Sequence, residues 1–201
     1  MAYIATPPLD ILRNFYNDVR INQLALALLH LWRAPLPEVF LERVLRPLGG
    51  GAGFAWQGYD DAGVELPGRG RVQAVPGGTH WGGGVSISAR DQARIGQLLL
   101  DGGVCGGRQL ISRGWIERMR SPCTVAPFYG RLLWLNPEGR AFPGASAQAS
   151  FMLGAGGQTV WMDPDLDAVV VLRWLDPAQA PETIRQLAAA LAKTAKPWGK
   201  T

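Results

Sequence analysis

The chain has 201 residues, 47% of them hydrophobic and 18% charged, which suits one large domain or two small ones with a packed core and excludes a disordered tail. Its net charge of +4 comes from 20 lysines and arginines against 16 acidic residues. The arginines are spread from Arg13 to Arg185 instead of forming the basic face that nucleic acid requires, so no nucleic-acid partner is expected.

The longest apolar candidate, Leu24 to Leu29, is far short of a membrane span and is followed at once by His30, so no span is expected. Pro7, Pro8 and Asp10 interrupt any apolar region of a signal peptide within Met1 to Leu12, and the chain as written reads as cytoplasmic. Cys105 and Cys123 cannot build a disulfide framework, and with His30 and His80 as the only histidines no structural zinc cluster can form. No metal or other cofactor is expected. The only lysines are Lys193, Lys196 and Lys200, which excludes any mechanism needing a lysine within the body of these residues.

After an irregular start over 1–14, Asn17 to Trp32 reads as a helix. Its apolar stripe is Ile21, Leu24, Ala25, Leu28 and Trp32, and His30 falls on the opposite, solvent side. Pro37 suits the first turn of a second helix with Phe40, Leu41, Val44, Leu45 and Leu48 inward, stopped by Pro47 and Gly49 to Gly51. The two helices are expected to pack together. Gly49 to Gly84 is a long glycine-rich excursion with turn signals and a few short strands.

Ser88-Ala89-Arg90-Asp91 resembles a capping box, opening a helix with Ala89, Ala93, Gly96 and Leu99 inward and Gly102-Gly103 as its stop. Ser112 to Arg120 forms a short helix with Trp115, Ile116 and Met119 inward, ended before Pro122. Strand-forming residues then occupy Tyr129 to Leu135, Phe151 to Met162 and Ala168 to Trp174. The run Val169 to Leu172 is apolar on both faces, which places that strand centrally. It is expected to pair antiparallel with Gln158 to Met162 across the Asp163 to Asp167 turn. Pro181 opens a last helix with Ile184, Leu187, Ala188 and Leu191 on one side, and 196–201 form a tail. The order is that of an α+β domain, an antiparallel sheet covered by helices.

Glycine-rich Gly82 to Gly84 and Gly154 to Gly157 lack both the spacing and the lysine of a phosphate loop. Eight tryptophans, Trp81, Trp134, Trp161 and Trp174 among them, could floor a carbohydrate site, but at strand positions packing is the better reading. No Gly-x-Ser-x-Gly elbow occurs, and Ser86 comes nearest. His80 with Asp60 or Asp61 lacks a second histidine for metal binding.

One ordered set stands out. Tyr16-Asn17-Asp18 opens an amphipathic helix, His80-Trp81-Gly82-Gly83-Gly84 leads into Val85-Ser86-Ile87-Ser88-Ala89-Arg90-Asp91, and Leu153-Gly154-Ala155-Gly156-Gly157 precedes Asp163-Pro164 and a valine strand. This order resembles the serine β-lactamase and penicillin-binding-protein superfamily, and more narrowly its class C β-lactamase-related group of esterases, DD-peptidases and 6-aminohexanoate-oligomer hydrolases. The resemblance covers 15–195 and implies a β-lactamase/transpeptidase-like fold, incomplete at the N-terminus.

The resemblance also implies acyl transfer on a small-molecule amide or ester, with Tyr16 as the proton-shuttling tyrosine. Asp18, His80, Trp81, Leu153, Gly154, Ala155 and Gly156 would line the substrate side. Two positions depart from the family pattern: Asp18 stands where an asparagine could also donate, and Met152 offers neither the charge nor the hydrogen bond of the third motif's lysine or histidine. None of the six serines has a lysine three residues on, so the Ser-x-x-Lys nucleophile motif is absent from these residues.

The expectation is therefore a β-lactamase-related hydrolase domain that is inactive alone; the alternative is a non-catalytic binding module that keeps the pocket wall. Tyr16, His80, Trp81 and Gly154 to Gly156 are expected to converge on one cleft. Uncovered apolar surface at Leu26, Leu29, Val170 or Leu172 is expected to promote self-association.

Overall fold

The computed structural model describes residues 18–77 and 84–194. They divide between Asp91 and Gln92 into two compact units.

In the first unit, helix α1 (Asp18–Trp32) is followed by the short α2 (Leu36–Phe40). Pro37 lies in the first turn of α2, where its missing N–H is no loss. The helix then widens into a π-helical turn over Leu41–Leu45, with Arg46 N–H donating to the Leu41 carbonyl and Gly50 N–H to that of Leu45, both at 2.9 Å. Pro47 supplies no N–H for an ordinary helical continuation, and the glycines beyond it end the element.

Strands β1 (Ala55–Gln57), β2 (Gly63–Leu66), β3 (Gly70–Gln73) and β4 (Gly84–Ser86) make up the expected excursion. β2 pairs with β3 as a hairpin, and β1 pairs antiparallel with β4. Ala25 and Leu29 of α1, Leu36 of α2, Leu66 and Val75 form the core of this unit. Gly77 N–H donates to Asn22 Oδ1 at 3.0 Å, and the Trp56 indole N–H donates to the Pro76 carbonyl at the same distance, which ties the excursion down.

The inward face of α1 differs from the expected stripe. Ala25 and Leu29 are buried, whereas Leu24 and Trp32 are 46% and 48% exposed. Packing against both α2 and the hairpin centres the face on Ala25 and Leu29, and the Arg43 guanidinium covers the Trp32 ring at 5.7 Å instead. Leu29 therefore has partners and is not the uncovered surface expected of it, while His30 is exposed as expected.

Helix α3 (Ala89–Leu100) starts as the capping pattern predicts, with Asp91 N–H donating to Ser88 Oγ at 3.0 Å. The Asp91 side chain turns inward and accepts the Gly51 N–H at 3.2 Å, so the buried positions of the first turn include an acid, while Ala89 lies exposed. Gly103, at φ +85°, closes the helix by donating to the Leu98 carbonyl.

The second unit is built on a four-stranded antiparallel sheet in the order β10-β9-β8-β7. These strands are β7 (Trp134–Leu135), β8 (Ser150–Gly154), β9 (Gln158–Asp163) and β10 (Ala168–Leu172). A small hairpin of β5 (Val104–Cys105) and β6 (Arg108–Gln109) precedes α4 (Arg113–Arg120), and α5 (Ala180–Thr194) follows the sheet. On one sheet face Phe151, Trp161 and Val170 pack against Ile184 and Ala188 of α5. On the other, Val160, Met162, Val169 and Val171 meet Leu99 of α3 and Ile116 of α4. Helices thus cover both faces, an α+β architecture as expected.

The β9–β10 hairpin forms antiparallel as expected, from Ala168 opposite Asp163 to Leu172 opposite Thr159, so that Asp163 belongs to the strand and not to the turn and the pairing stops at Leu172. Three details differ from expectation. β10 is an edge strand among the described residues, and β9 and β8 are the interior ones; the valine run is apolar on both sides because each face has its own helix layer, which says nothing of its edges. Trp115 is 46% exposed, since the short α4 turns Ile116 inward and the neighbouring position falls off that face. Only Trp134–Leu135 of the 129–135 segment is extended into the sheet, and the 151–162 segment is broken into two strands by the turn at 155–157.

Candidate functional site

Tyr16, His80 and Trp81 lie outside the described residues, as does the expected convergence of these three on Gly154 to Gly156. Asp18 is the first residue of α1. The remaining candidates are continuous in the chain: Leu153 and Gly154 end β8, and Ala155 and Gly156 belong to the turn that returns into β9.

That turn is shaped by its glycines. Gly156 and Gly157 have φ of +77° and +73°, a backbone region that side-chain-bearing residues avoid. A Cβ on Gly157 would run into the carbonyl oxygen of Leu175, whose own N–H donates to the Gly157 carbonyl at 3.2 Å. Gly154 pairs with Gln158 across the hairpin. The Gln158 side chain donates to the Gly156 carbonyl at 3.3 Å and accepts from Arg173 Nε at 3.2 Å. The segment leaving β10 is therefore held against the turn at two points, one on either side of Trp174.

Trp174 is the residue that sequence reasoning set aside as packing. Its side chain is instead 79% exposed, its φ is +60°, and its ring atoms Cε3 and Cζ3 lie 3.4 and 3.0 Å from where a Gly156 Cβ would be. The signal available in the sequence was its place just beyond the last apolar residue of the valine strand, followed by Leu175-Asp176-Pro177. By contrast Trp161 is fully buried and Trp134 partly so, as the packing reading expects.

The third-motif position offers no ion. Met152 pairs with Val160 and packs into the core facing α3 and α4, so it contributes apolar support from behind the strand. Leu153, 39% exposed, shares a cross-strand row with Thr159 and Leu172. Among the described residues no three His, Cys, Asp or Glu side chains are grouped to hold a metal. Arg120, whose guanidinium is lowered from its ordinary pKa by burial, donates to the Leu99 carbonyl and belongs to the packing of α4.

No protein-family model matches the chain. Over 110 residues it is 36% identical to the 6-aminohexanoate-dimer hydrolase of Paenarthrobacter ureafaciens, a match covering 47% of this chain and 26% of that enzyme. Two solved structures are also similar to it. One, a candidate 6-aminohexanoate-dimer hydrolase from Bacillus anthracis, is 25% identical with a TM-score of 0.44, over 57% of this chain and 31% of that one. The other, a candidate β-lactamase from Bacteroides dorei, is 15% identical with a TM-score of 0.44, over 80% and 51%. The chain thus spans 26% of the curated relative and 31% and 51% of the two structural ones. No single helix among the described residues is long and apolar enough to cross a membrane.

Proposed function

We propose that these residues form the substrate-side wall of a β-lactamase-related serine hydrolase, acting by acyl transfer on a small amide or ester. The observation that carries this is the 36% identity to a 6-aminohexanoate-dimer hydrolase, a name that places amide hydrolysis in the relative. In the complete chemistry a serine attacks the carbonyl, the amine or alcohol leaves, and water releases the acyl group. Tyr16 is the residue assigned to the proton shuttle, and Asp18, His80, Trp81 and Leu153 to Gly156 to the substrate side.

The second reading, a binding module without catalysis, is favoured by one specific observation: no serine in these 201 residues has a lysine three positions on. An unperturbed tyrosine cannot stand in for that pair, since its pKa near 10 leaves roughly one part in a thousand ionised at neutral pH. We therefore assign no turnover to these residues alone, because loss of the nucleophile in a serine hydrolase costs about 10⁶ in rate.

The test is a hydrolysis assay with a chromogenic ester and a chromogenic cephalosporin. It is run on the 201-residue chain and on a version preceded by a Ser-x-x-Lys-bearing segment of a related hydrolase. Turnover in the extended version alone, lost on Tyr16→Phe, supports the hydrolase reading. Specific ligand binding with no turnover in either version supports the binding module. Turnover in the shorter chain that disappears on Ser86→Ala overturns the assignment of the nucleophile to another segment.

A further inference from the structure

We infer that Trp174 is a specificity-determining residue of this site, its exposed indole forming the platform for the uncharged aliphatic part of the substrate's acyl chain. The inference rests on the hydrolase reading above and adds to it the residue that selects the substrate. Stability does not account for Trp174. The largest side-chain type sits on a left-handed backbone, at φ +60°, with most of its ring in water, so it adds strain and leaves apolar surface unburied.

What the structure does provide is a fixed mounting. On one side Arg173 Nε is bonded to Gln158 Oε1, and on the other Leu175 N–H is bonded to the Gly157 carbonyl. With both neighbours pinned, the indole lies over Gly156, where a side chain would crowd its ring at 3.0 Å. A rigid aromatic held over bare backbone, next to the candidate strand end, presents a flat apolar surface at little entropic cost to a ligand.

The chemistry of the occupant follows from the neighbours. Leu153, on the strand that leads into the turn, leaves part of its side chain exposed, and the Nε–H of Arg173, the residue before Trp174, is taken up by the Gln158 amide oxygen. An extended methylene chain matches the exposed indole face and the exposed part of Leu153, both of them apolar, and a terminal carboxylate adds no apolar area to that contact.

The experiment is a titration of the isotopically labelled chain followed by NMR, using N-butylhexanamide and, as the charged counterpart, 6-(butylamino)-6-oxohexanoate. The Trp174 indole N–H signal is identified by its loss in Trp174→Phe. The expected result is saturable movement of that signal with the uncharged amide, affinity about tenfold weaker in Trp174→Ala, less than threefold weaker in Trp174→Phe, and weaker binding of the carboxylate. Movement of the Gly154 and Gly156 backbone amides with unchanged affinity in Trp174→Ala would overturn the role of Trp174 and leave the hydrolase reading standing. Tighter binding of the carboxylate would overturn the assigned occupant. No movement at either the glycines or the indole would remove both. Because the side chain is exposed, unfolding temperatures of the variants are expected to match the parent, which separates lost binding from lost folding.

Discussion

The carboxylate of Asp163 accepts the indole N–H of Trp161 at 3.2 Å, two fully buried side chains joined at the end of the interior strand β9. The same oxygen accepts the Ser146 N–H at 2.9 Å, while the other accepts the backbone N–H groups of Asp165 and Leu166. One side chain thus closes the β9–β10 turn, fixes the Trp161 ring among the residues packed on α5, and anchors the loop before β8. Four donors on one carboxylate offset much of its desolvation, whereas deleting it leaves buried donors with nothing to bond.

Asp163→Ala is accordingly expected to cost about 3 kcal/mol or more of stability, with Asp163→Asn intermediate because its amide nitrogen faces donors. Urea unfolding at neutral pH checks the order. An Ala variant within about 0.5 kcal/mol of the parent would show that the network has no energetic consequence.

Asn136 makes a parallel prediction with the opposite polarity. Its buried Nδ2 faces the carbonyls of Phe142, Ala145 and Ser146 at 2.9 to 3.2 Å, and its Oδ1 accepts the Phe142 N–H at 2.8 Å. Asn136→Asp replaces the donor with an acceptor aimed at three carbonyl oxygens, so it is expected to destabilise more than Asn136→Ala, by about 3 kcal/mol against about 2. Equilibrium unfolding of the two variants decides, and an Asp variant as stable as the Ala one would refute the polarity argument.

Neither of these anchors was legible in the sequence beyond its turn propensity. Asp163-Pro164 and Asn136-Pro137 read as turns because those residue types favour turns, but which buried groups their side chains satisfy depends on segments ten and seventeen residues away. The antiparallel pairing of the hairpin was legible, since turn residues stand between two strand-forming runs. The position of β10 was not. Val170 packs toward α5 while Val169 and Val171 pack toward α3 and α4, so the period of the sequence reports two covered faces and carries no information about which edge is paired.

The candidate site shows the same division. Gly154 to Gly157 read as part of one strand-forming segment, whereas Gly156 and Gly157 take positive φ and turn the chain back between β8 and β9. Trp174 approaches that turn through a contact eighteen residues away in the chain from Gly156, which local patterning cannot supply. The exposure of Trp174 and of Trp115, against full burial of Trp161, shows that residue type sets the apolar area and tertiary packing decides whether it is covered.

A pH dependence is expected at the start of α5. Arg185 and then Gln186 donate to the Glu182 carboxylate and hold its pKa below the ordinary glutamate range. A lowered folded-state pKa means a contribution that is present above the unfolded pKa and lost as pH falls through the folded value, here in the acid range below about pH 4. Glu182→Gln is expected to lower the unfolding temperature slightly at pH 7 and by less as the pH falls toward 2. The pair is exposed, so the pH 7 difference is expected to shrink in 1 M salt. Equal differences at both pH values would rule out the ion pair as their source.

Gly96 gives the sharpest packing prediction, because two effects of opposite sign meet there. An exposed helical glycine replaced by alanine gains about 1 kcal/mol from backbone propensity. Gly96, however, is buried where α3 meets the sheet, and an added Cβ would lie 2.6 Å from Val169 Cγ1 and 3.1 Å from Val160 Cγ1. Both neighbours are β-branched and stiff, so they cannot swing aside as a long side chain would. Overpacking of this kind costs about 1 to 3 kcal/mol, enough to cancel or exceed the propensity gain. Gly96→Ala is therefore expected to be net destabilising by about 1 kcal/mol in the parent. In a Val169→Ala background, where the crowding methyl groups are gone, the same change is expected to become neutral or stabilising. A double-mutant cycle measured by denaturant unfolding isolates the coupling, expected at about 1 to 2 kcal/mol. Additive effects of the two substitutions would mean that α3 can lift from the valine strand without cost, and that the close approach at Gly96 does not hold that face of the sheet.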